Sequence, residues 1–307
     1  MGGEPVAGAA AWPWLPVAEW QPTRDTLHLW TQVVGKVRLA NTPLVNHWWN
    51  VPLYVTARGL TTSLIPYGRD RAFEIAFDFI DHRLDITPSD GPGSSMDLEP
   101  RSVADFYAAT TAALDELGVE VRLYPHPSEV ADAIPFDQDE VHRSYDADAA
   151  HRFWLALVQI HQVLFEFRSR FTGKASPVHF FWGGADLCTT RFSGRPAPRH
   201  PGGVPNCPDW VQEMAYSHEV SSCGYWPGGT DGGAFYSYAY PQPEGFADWP
   251  VEPAAAHYDP DLGEFLLPYT AVRTAPDPAA TLLTFLQSTY EAAANLATWD
   301  RPTLEAG

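Results

Sequence analysis

The clearest helix in the sequence is ADAAHRFWLALVQIHQVLFEFRSRF, residues 147–171. Its apolar residues recur at alternating spacings of four and three, which is the repeat of one buried face of an α-helix. Strand-like segments follow at 177–182, 187–192, 214–223, 234–240 and 265–269, with a Pro/Gly-rich loop at 194–208. Asp277 and Pro278 form an N-cap and first-turn pair that predicts a closing helix to about residue 298. The second half is therefore predicted to be a long helix, antiparallel strands and a closing helix.

The first half repeats this order. Periodic apolar residues predict helices at 24–40 and 100–118, and alternation predicts strands at 47–56, 60–66, 73–79, 83–87 and 119–124. In addition, His47-Trp48-Trp49 follows the first helix much as His179-Phe180-Phe181 follows the second. This similarity is compatible with an internal duplication of the two halves and does not decide it.

The predicted architecture is a single α+β domain over residues 23–300. It consists of two similar halves, 24–125 and 147–299, each an antiparallel sheet with long helices packed on one side. Residues 126–146, which are acidic and contain two Pro, are predicted to link the halves, and the Gly/Ala/Pro-rich residues 1–22 are predicted to be a flexible arm. If the halves are duplicates, a cavity is expected where their sheets meet.

Charge and composition exclude several classes of protein. The chain has 307 residues, with 19 Lys and Arg against 38 Asp and Glu, for a formal net charge of −19. Binding to nucleic acid or to an anionic membrane surface needs a basic excess that is missing here. Hydrophobic residues make up 45% of the chain, so it can bury a substantial core and is not a disordered protein.

The sequence also predicts a compartment. Residues 1–17 lack the features of a secretory signal, and no apolar run is long enough to span a membrane. Cys188, Cys207 and Cys223 are too few and too widely spaced for a metal knuckle, and they fit reduced cytoplasmic thiols. We therefore expect a soluble, cytoplasmic protein.

Familiar catalytic motifs are absent. His218-Glu219 begins like HExxH, but position 222 is Ser, and Ser193 lacks the first Gly of a GxSxG elbow. The sequence also contains no Walker loop and no GxGxxG. The reaction class, oxidoreductase or lyase for example, is not resolved by any motif.

Chemistry-bearing residues are instead concentrated among aromatic residues between 174 and 240. Polar groups in apolar strands are costly to bury unless they are hydrogen-bonded, paired or bound to a metal, so they indicate either a structural network or a site. A single transition metal ion could be held by two His and a carboxylate. The candidate metal ligands are His179, His218, Asp186 and His200.

A site without a metal is the alternative. His218 or Glu219 would act as general base, oriented by Tyr216 or Arg191. Strand alternation sends His218 and Glu219 to opposite faces, so they cannot both act at one point without a bulge. The substrate would stack on Phe181, Trp182 or Trp226, and Lys174 or Arg191 would anchor a carboxylate or phosphate.

Other polar residues are interpreted as solvated. His47, Asp78, Asp81 and His82 are predicted at strand ends in the first half. The acidic cluster of Asp137, Asp139 and Glu140 lacks the spacing of a calcium loop and is predicted to be linker.

Four segments resemble the signature of a known family. They are HFFWG at 179–183, RFSGR at 191–195, YSHEVSS at 216–222 and WPG at 226–228. The chain resembles, from about Trp14 to Trp299, an uncharacterised bacterial domain-of-unknown-function family, number 5996. That family has no established activity, so the resemblance implies membership and assigns no residue a role.

The functional prediction is a soluble enzyme that acts on a small aromatic or apolar molecule, with or without a bound transition metal. The main alternative is a non-catalytic protein that binds a small molecule in the same aromatic pocket. The predicted partner is therefore a small-molecule ligand or substrate, with no nucleic acid and no membrane; the oligomeric state stays open.

Overall fold

The fold contains two antiparallel sheets of six strands each. A computed structural model describes residues 12–229 and 232–306. The first sheet comprises β1 (Tyr54–Val55), β2 (Gly59–Thr61), β3 (Ile65–Tyr67), β4 (Arg71–Asp78), β5 (Arg83–Pro88) and β6 (Ser94–Asp97). The second comprises β7 (His179–Phe181), β8 (Asp186–Pro196), β9 (His218–Trp226), β10 (Ala234–Tyr240), β11 (His257–Asp259) and β12 (Glu264–Pro268).

Helices pack around both sheets. They are α1 (Val17–Asn41), α2 (Val103–Glu116), α3 (Ala147–Ser169), α4 (Asp209–Ala215), α5 (Tyr269–Arg273), α6 (Pro278–Leu296) and α7 (Arg301–Leu304). In the residues that the structure describes, no helix has the length and apolarity needed to cross a membrane. The α+β class and the two antiparallel sheets confirm the predicted fold, and two sheets are compatible with two halves.

The two sheets are joined directly. Leu53 and Phe180 exchange both backbone hydrogen bonds, each of 2.9 Å, and both side chains are buried. Because this bridge places the segment before β1 beside β7, residues of the first half lie close to the second sheet. The buried apolar side chains of both halves form one continuous core.

The second sheet has two different faces. The side chains of Leu187, Cys223 and Phe235 belong to the core on the face that α3 and α6 cover. Since successive strand residues point to opposite faces, the even-numbered residues of β8, β9 and β10 share the other face. That face forms the floor of the cavity described below.

Several elements differ from the sequence prediction. Helix α1 begins at Val17, so residues 17–22 of the predicted arm are helical, and Trp20 is buried. Pro22, the last residue of the predicted arm, lies inside this helix; residues 1–11 are outside the described part of the chain. The predicted helices from 147 and 277 are confirmed, with Asp146 and Asp277 capping α3 and α6.

Two predicted strands in the first half are wrong. Residues 119–124 form no strand in the structure, and Val119, Val121 and Leu123 pack on the core instead. The strand predicted at 47–56 is instead a 3-10 turn, Asn46–Trp48, followed by irregular chain and the short β1. His47 and Trp48 have φ values of 57° and 62°, which strand geometry does not allow.

Candidate functional site

A cavity of about 870 Å³ lies on the second sheet, on the face opposite α3 and α6. Its floor is formed by Asp186, Cys188 and Thr190 of β8, Val220 and Ser222 of β9, and Tyr236 and Tyr238 of β10. Its remaining walls come from the end of α1, from residues 47–51, 124–129 and 204–216, and from β7. The site is therefore shared by the first half, the predicted linker and the second half.

The turn at Asn46–Trp48 is held over the sheet by α4. Trp48 Nε1 donates a 3.0 Å hydrogen bond to the carbonyl of Val211, and His47 Nδ1 donates one of 3.0 Å to the carbonyl of Ala215. The left-handed backbone of this turn brings the rings of Trp48 and Trp49 to the cavity wall. His47 was expected at a solvated strand end; it is buried and lines the cavity.

The cavity floor contains a carboxyl group, that of Asp186, which is hydrogen-bonded to a tyrosine. Tyr236 donates a short hydrogen bond to Asp186 Oδ2, and Tyr216 and Tyr238 share a hydrogen bond of 2.8 Å. A Cβ on Gly224 would lie 2.6 Å from the Tyr236 hydroxyl, so glycine at this position makes room for that side chain. Burial raises the pKa of Asp186 to about 6.

A second carboxyl group, that of Glu129, comes from the predicted linker. Its side chain is open to the cavity and packs beside Gly183 and Gly184. A Cβ on Gly184 would lie 3.1 Å from Asp186 Oδ1 and 3.8 Å from Glu129 Oε2, so the two carboxyl groups flank the same glycine. Desolvation by the surrounding protein, and then the Asp186 charge, raises the pKa of Glu129 to about 7.

Neither carboxyl group has a cationic partner in the described residues. Asp186 and Glu129 form no ion pair with Lys or Arg, and no nearby cation lowers their pKa. Lys36 lines the same cavity, but its Nζ donates to Ser128 Oγ at 3.1 Å. The carboxyl pair is therefore electrostatically uncompensated.

His179 adds a buried group without partners. It is fully buried on β7 among Trp49, Tyr54 and Phe181, and neither ring nitrogen has a hydrogen-bond partner. Burial, followed by the nearby Arg38 and Arg168 charges, lowers the pKa of His179 to about 3, so the imidazole is neutral near pH 7. Unsatisfied buried polar groups are rare in folded proteins, and this one lies on the cavity wall.

Five of the predicted site residues meet at this cavity. They are His179, Phe181, Trp182, Asp186 and Tyr216. The remaining predicted residues lie elsewhere, and their surroundings explain why.

Arg191 lies on the opposite face of the sheet. Its guanidinium carbon is 3.5 Å from the ring centre of Phe167 and 4.3 Å from that of Tyr290, and it donates to the carbonyl of Phe167. The side chain is buried between α3 and α6, where burial lowers its pKa to about 10. Its position indicates a structural role between α3 and α6, and nothing in this position supports the predicted role in catalysis or anchoring.

Glu219 is directed away from the cavity, as strand alternation predicts. It accepts hydrogen bonds from Ser193 (2.8 Å) and from Arg195 (2.6 Å), and this ion pair is partly exposed. Glu219 does not line the cavity, so nothing in this position supports its predicted role as general base.

The four predicted metal ligands do not converge. His200 stacks on Tyr216 with ring centres 4.6 Å apart, and His218 lies 5.8 Å from His47, edge to face. Neither lines the cavity with His179 and Asp186. Across residues 12–229 and 232–306, no group of three or more His, Cys, Asp or Glu side chains is arranged to hold a metal ion.

The last two predicted residues lie at the periphery. Lys174 Nζ donates a 2.7 Å hydrogen bond to His47 Nε2, behind the cavity wall, and burial lowers its pKa. Trp226 is 44% exposed and packs on Gly228 and Gly229 at the far end of β9.

Sequence reasoning missed Glu129, Lys36, His47, Tyr236 and Tyr238 on the wall. The alternation of Tyr236, Tyr238 and Tyr240 along β10 was the available signal for the two tyrosines. No pattern marks Glu129, which has a φ of 61° in an irregular segment.

We expect Gly183→Ala to displace the Glu129 carboxyl with little loss of stability. The new Cβ would lie 2.2 Å from Glu129 Oε1, and the end of that flexible side chain can move away. The pKa of Glu129 should fall from about 7 toward its ordinary value as the group leaves Asp186. Carboxyl NMR titration measures this shift. Gly91→Ala, at a position with open space, is the control, and an unchanged Glu129 pKa in Gly183→Ala would contradict the assigned packing.

We expect Glu219→Gln to change the free energy of unfolding by less than about 1 kcal/mol, because partly exposed ion pairs contribute little. The pKa values of the cavity carboxyls should stay the same, since Glu219 faces the other way. Denaturant unfolding and the same NMR titration measure both quantities. A loss of several kcal/mol, or a shifted Asp186 pKa, would show that Glu219 is coupled to the site.

Two of the four segments that carry the family resemblance lie at this cavity. Residues 179–183 form β7 and the glycine turn beside Glu129, and residues 216–222 include Tyr216, Val220 and Ser222 of the wall. Neither the curated proteins nor the solved structures include a match to the chain. One family model, described as a family of unknown function (DUF5996), matches residues 12–306. Because this match covers nearly the whole sequence, the chain belongs to the DUF5996 family of unknown function.

Proposed function

We propose that the chain is a soluble, cytoplasmic enzyme that binds a small, partly aromatic molecule in the cavity and moves protons on it. The observation that carries this proposal is the carboxyl pair, Asp186 and Glu129, flanking one glycine on an aromatic cavity wall. Carboxyl groups whose pKa values are raised to near 7 are characteristic of general acid–base catalysts.

The two carboxyl groups suit different roles. With a pKa of about 6, Asp186 is largely ionised at pH 7 and can accept a proton from the ligand. With a pKa of about 7, Glu129 is about half protonated and can donate one. Because the two groups interact, they titrate as a pair, and the pH profile of the reaction rate should be bell-shaped.

The remaining wall suits a small ring-containing molecule. Trp48, Trp49, Phe181 and Trp182 offer apolar faces for stacking. His179, neutral and buried on this wall, has one hydrogen-bond donor and one acceptor without a protein partner. The proposal assigns no role to a metal ion, because the four predicted ligands diverge.

A metabolite panel tests the proposal in two steps. Compounds that bind the folded protein should raise its melting temperature by mass action. Each hit is then incubated with the protein and followed by mass spectrometry, with Glu219→Gln as an active control and Asp186→Asn as the inactive variant. Hits that bind but are never converted would contradict an enzyme.

A non-catalytic binding protein is the second candidate. It is favoured by the predominance of rings on the wall and by Cys188, whose pKa burial raises well above its usual range, so that it is not a ready nucleophile. Binding without conversion in the same experiment would support this alternative.

A further inference from the structure

We propose that the ligand of this cavity is an organic cation: an amine carried on an aromatic or apolar body. The inference rests on the proposed function of the cavity as a ligand site, and it names the chemical class that the site recognises. It stands on three features of the wall, which are the uncompensated carboxyl pair, the tyrosines that have no Lys or Arg over their rings, and the unpartnered His179.

The carboxyl pair lacks a counter-charge. Asp186 receives a hydrogen bond from Tyr236, and Glu129 lies across Gly184 from it, yet neither is paired with a Lys or Arg of the described chain. A carboxylate taken out of water without a cation is costly, and two side by side repel each other. A ligand ammonium group would supply both the missing charge and the hydrogen-bond donors.

The neighbouring rings are suited to the same group. Tyr236 is hydrogen-bonded to Asp186, Tyr216 lies near Glu129, and Tyr238 is hydrogen-bonded to Tyr216. In the described ranges, none of these three rings has a Lys or Arg over its face. One ammonium group already lies against a ring of this wall, since Lys36 Nζ is 5.9 Å from the ring centre of Trp182. The negative face of an aromatic ring attracts a cation, most strongly where water is excluded.

His179 is the independent sign of a ligand. It is fully buried, it lines the cavity and both its nitrogens lack partners. In the β7–β8 register, His179 pairs with Cys188 and Phe181 pairs with Asp186, so His179 is a diagonal neighbour of the carboxyl. Diagonal neighbours are about 7–8 Å apart, so one small molecule can reach both. A neutral imidazole nitrogen can accept a hydrogen bond from an ammonium.

Other titratable groups face the carboxyls, and they do not supply the missing cation. They are Tyr236 on β10, Cys188 on β8, Glu264 on β12, Tyr216 and Cys207. Glu264 supplies no positive charge, and burial and then the Asp186 charge raise its pKa to about 7. Lys36, the one Lys or Arg on the described wall, already donates to Ser128.

Matched probes test the proposal on the full chain by calorimetry at pH 7.5. 2-Phenylethylamine is compared with 2-phenylethanol, its neutral counterpart, and with 3-phenylpropanoate, an anion; tryptamine and tryptophol repeat the comparison with a larger ring system. Each amine should bind at least tenfold more tightly than its alcohol, and the anion should not bind. Asp186→Asn and Glu129→Gln should each reduce that preference by at least tenfold, whereas Glu219→Gln should keep it.

The outcomes separate the two proposals. If the alcohols bind as tightly as the amines, or if both carboxyl variants keep the preference, the cation proposal is wrong and the cavity remains a ligand site. If no probe binds and no panel compound raises the melting temperature, the cation proposal and the proposed function both fail. A preserved fold in each variant is checked by its melting temperature and circular dichroism.

Discussion

Asp186→Asn should make the protein more stable at pH 8 while removing its activity. Burial raises the pKa of this carboxyl to about 6, which means that the folded state disfavours its ionised form. Asn keeps the size and can still accept the hydrogen bond from Tyr236, but it has no charge to desolvate. We expect a gain of about 2–3 kcal/mol in the free energy of unfolding, from 1.36 kcal/mol per pKa unit. Loss of a general base typically lowers turnover by 10²-fold or more.

The pH dependence of this gain has a definite sign. A carboxyl whose folded pKa is raised contributes stability that is present below the unfolded pKa, near 3.8, and is lost as the pH rises through about 6. The advantage of Asp186→Asn should therefore be absent at pH 4 and complete above pH 7. Denaturant unfolding at both pH values measures it, with Asp97→Asn on the exposed edge strand β6 as control. A variant that is less stable than the parent at pH 8 would mean that the Asp186 charge is compensated.

This opposition of stability and activity is expected of functional sites. Proteins tolerate local electrostatic cost where a group must react or bind, and removing that group commonly stabilises the fold. A buried structural carboxylate behaves in the opposite way, because it is paired and its removal leaves a partner unsatisfied. The sign of the Asp186→Asn effect thus distinguishes a site residue from a structural one.

The sequence predicted elements whose pattern reflects burial on one side. Helix α3 has a continuous apolar face and an Asp146 cap, and β10 alternates Tyr236 and Tyr238 with buried Phe235 and Ser237, so both were correctly located. The predicted strand at 119–124 shows the limit. Alternating apolar residues indicate that a segment packs on a core. A strand also needs a neighbouring strand to pair with, and the local sequence does not show whether one is present.

The candidate site was predictable only where it lies on strands. Asp186 and His179 were selected because a polar residue among apolar strand neighbours is conspicuous, and both line the cavity. Arg191 was conspicuous for the same reason and is structural, because alternation alone does not say which face carries the cavity. Glu129 and His47 come from segments with positive φ, where no periodicity predicts the direction of a side chain.

His179→Leu should remove a large pH-dependent contribution to stability. The folded pKa of His179 is lowered to about 3 by burial, whereas in the unfolded chain it is near 6.5. A base with a depressed folded pKa contributes stability above its unfolded pKa and loses it as the pH falls, because only the unfolded chain takes up the proton. Between pH 7.5 and pH 5, the parent should lose about 2 kcal/mol relative to His179→Leu, at 1.36 kcal/mol per pKa unit. Denaturant unfolding at a series of pH values measures the difference.

The control for this prediction is His257→Leu, a substitution of an exposed histidine on β11. If the His179→Leu difference ran parallel to that of the control across the pH range, His179 would be accessible to protons in the folded protein, and its neutral state would not hold. A bound amine gives a further distinction. A ligand that donates a hydrogen bond to the imidazole loses this acceptor in the variant, so at pH 7.5 the amine should raise the melting temperature of the parent more than that of His179→Leu. His179 would then be part of ligand recognition, which a purely structural histidine on this wall could not reproduce.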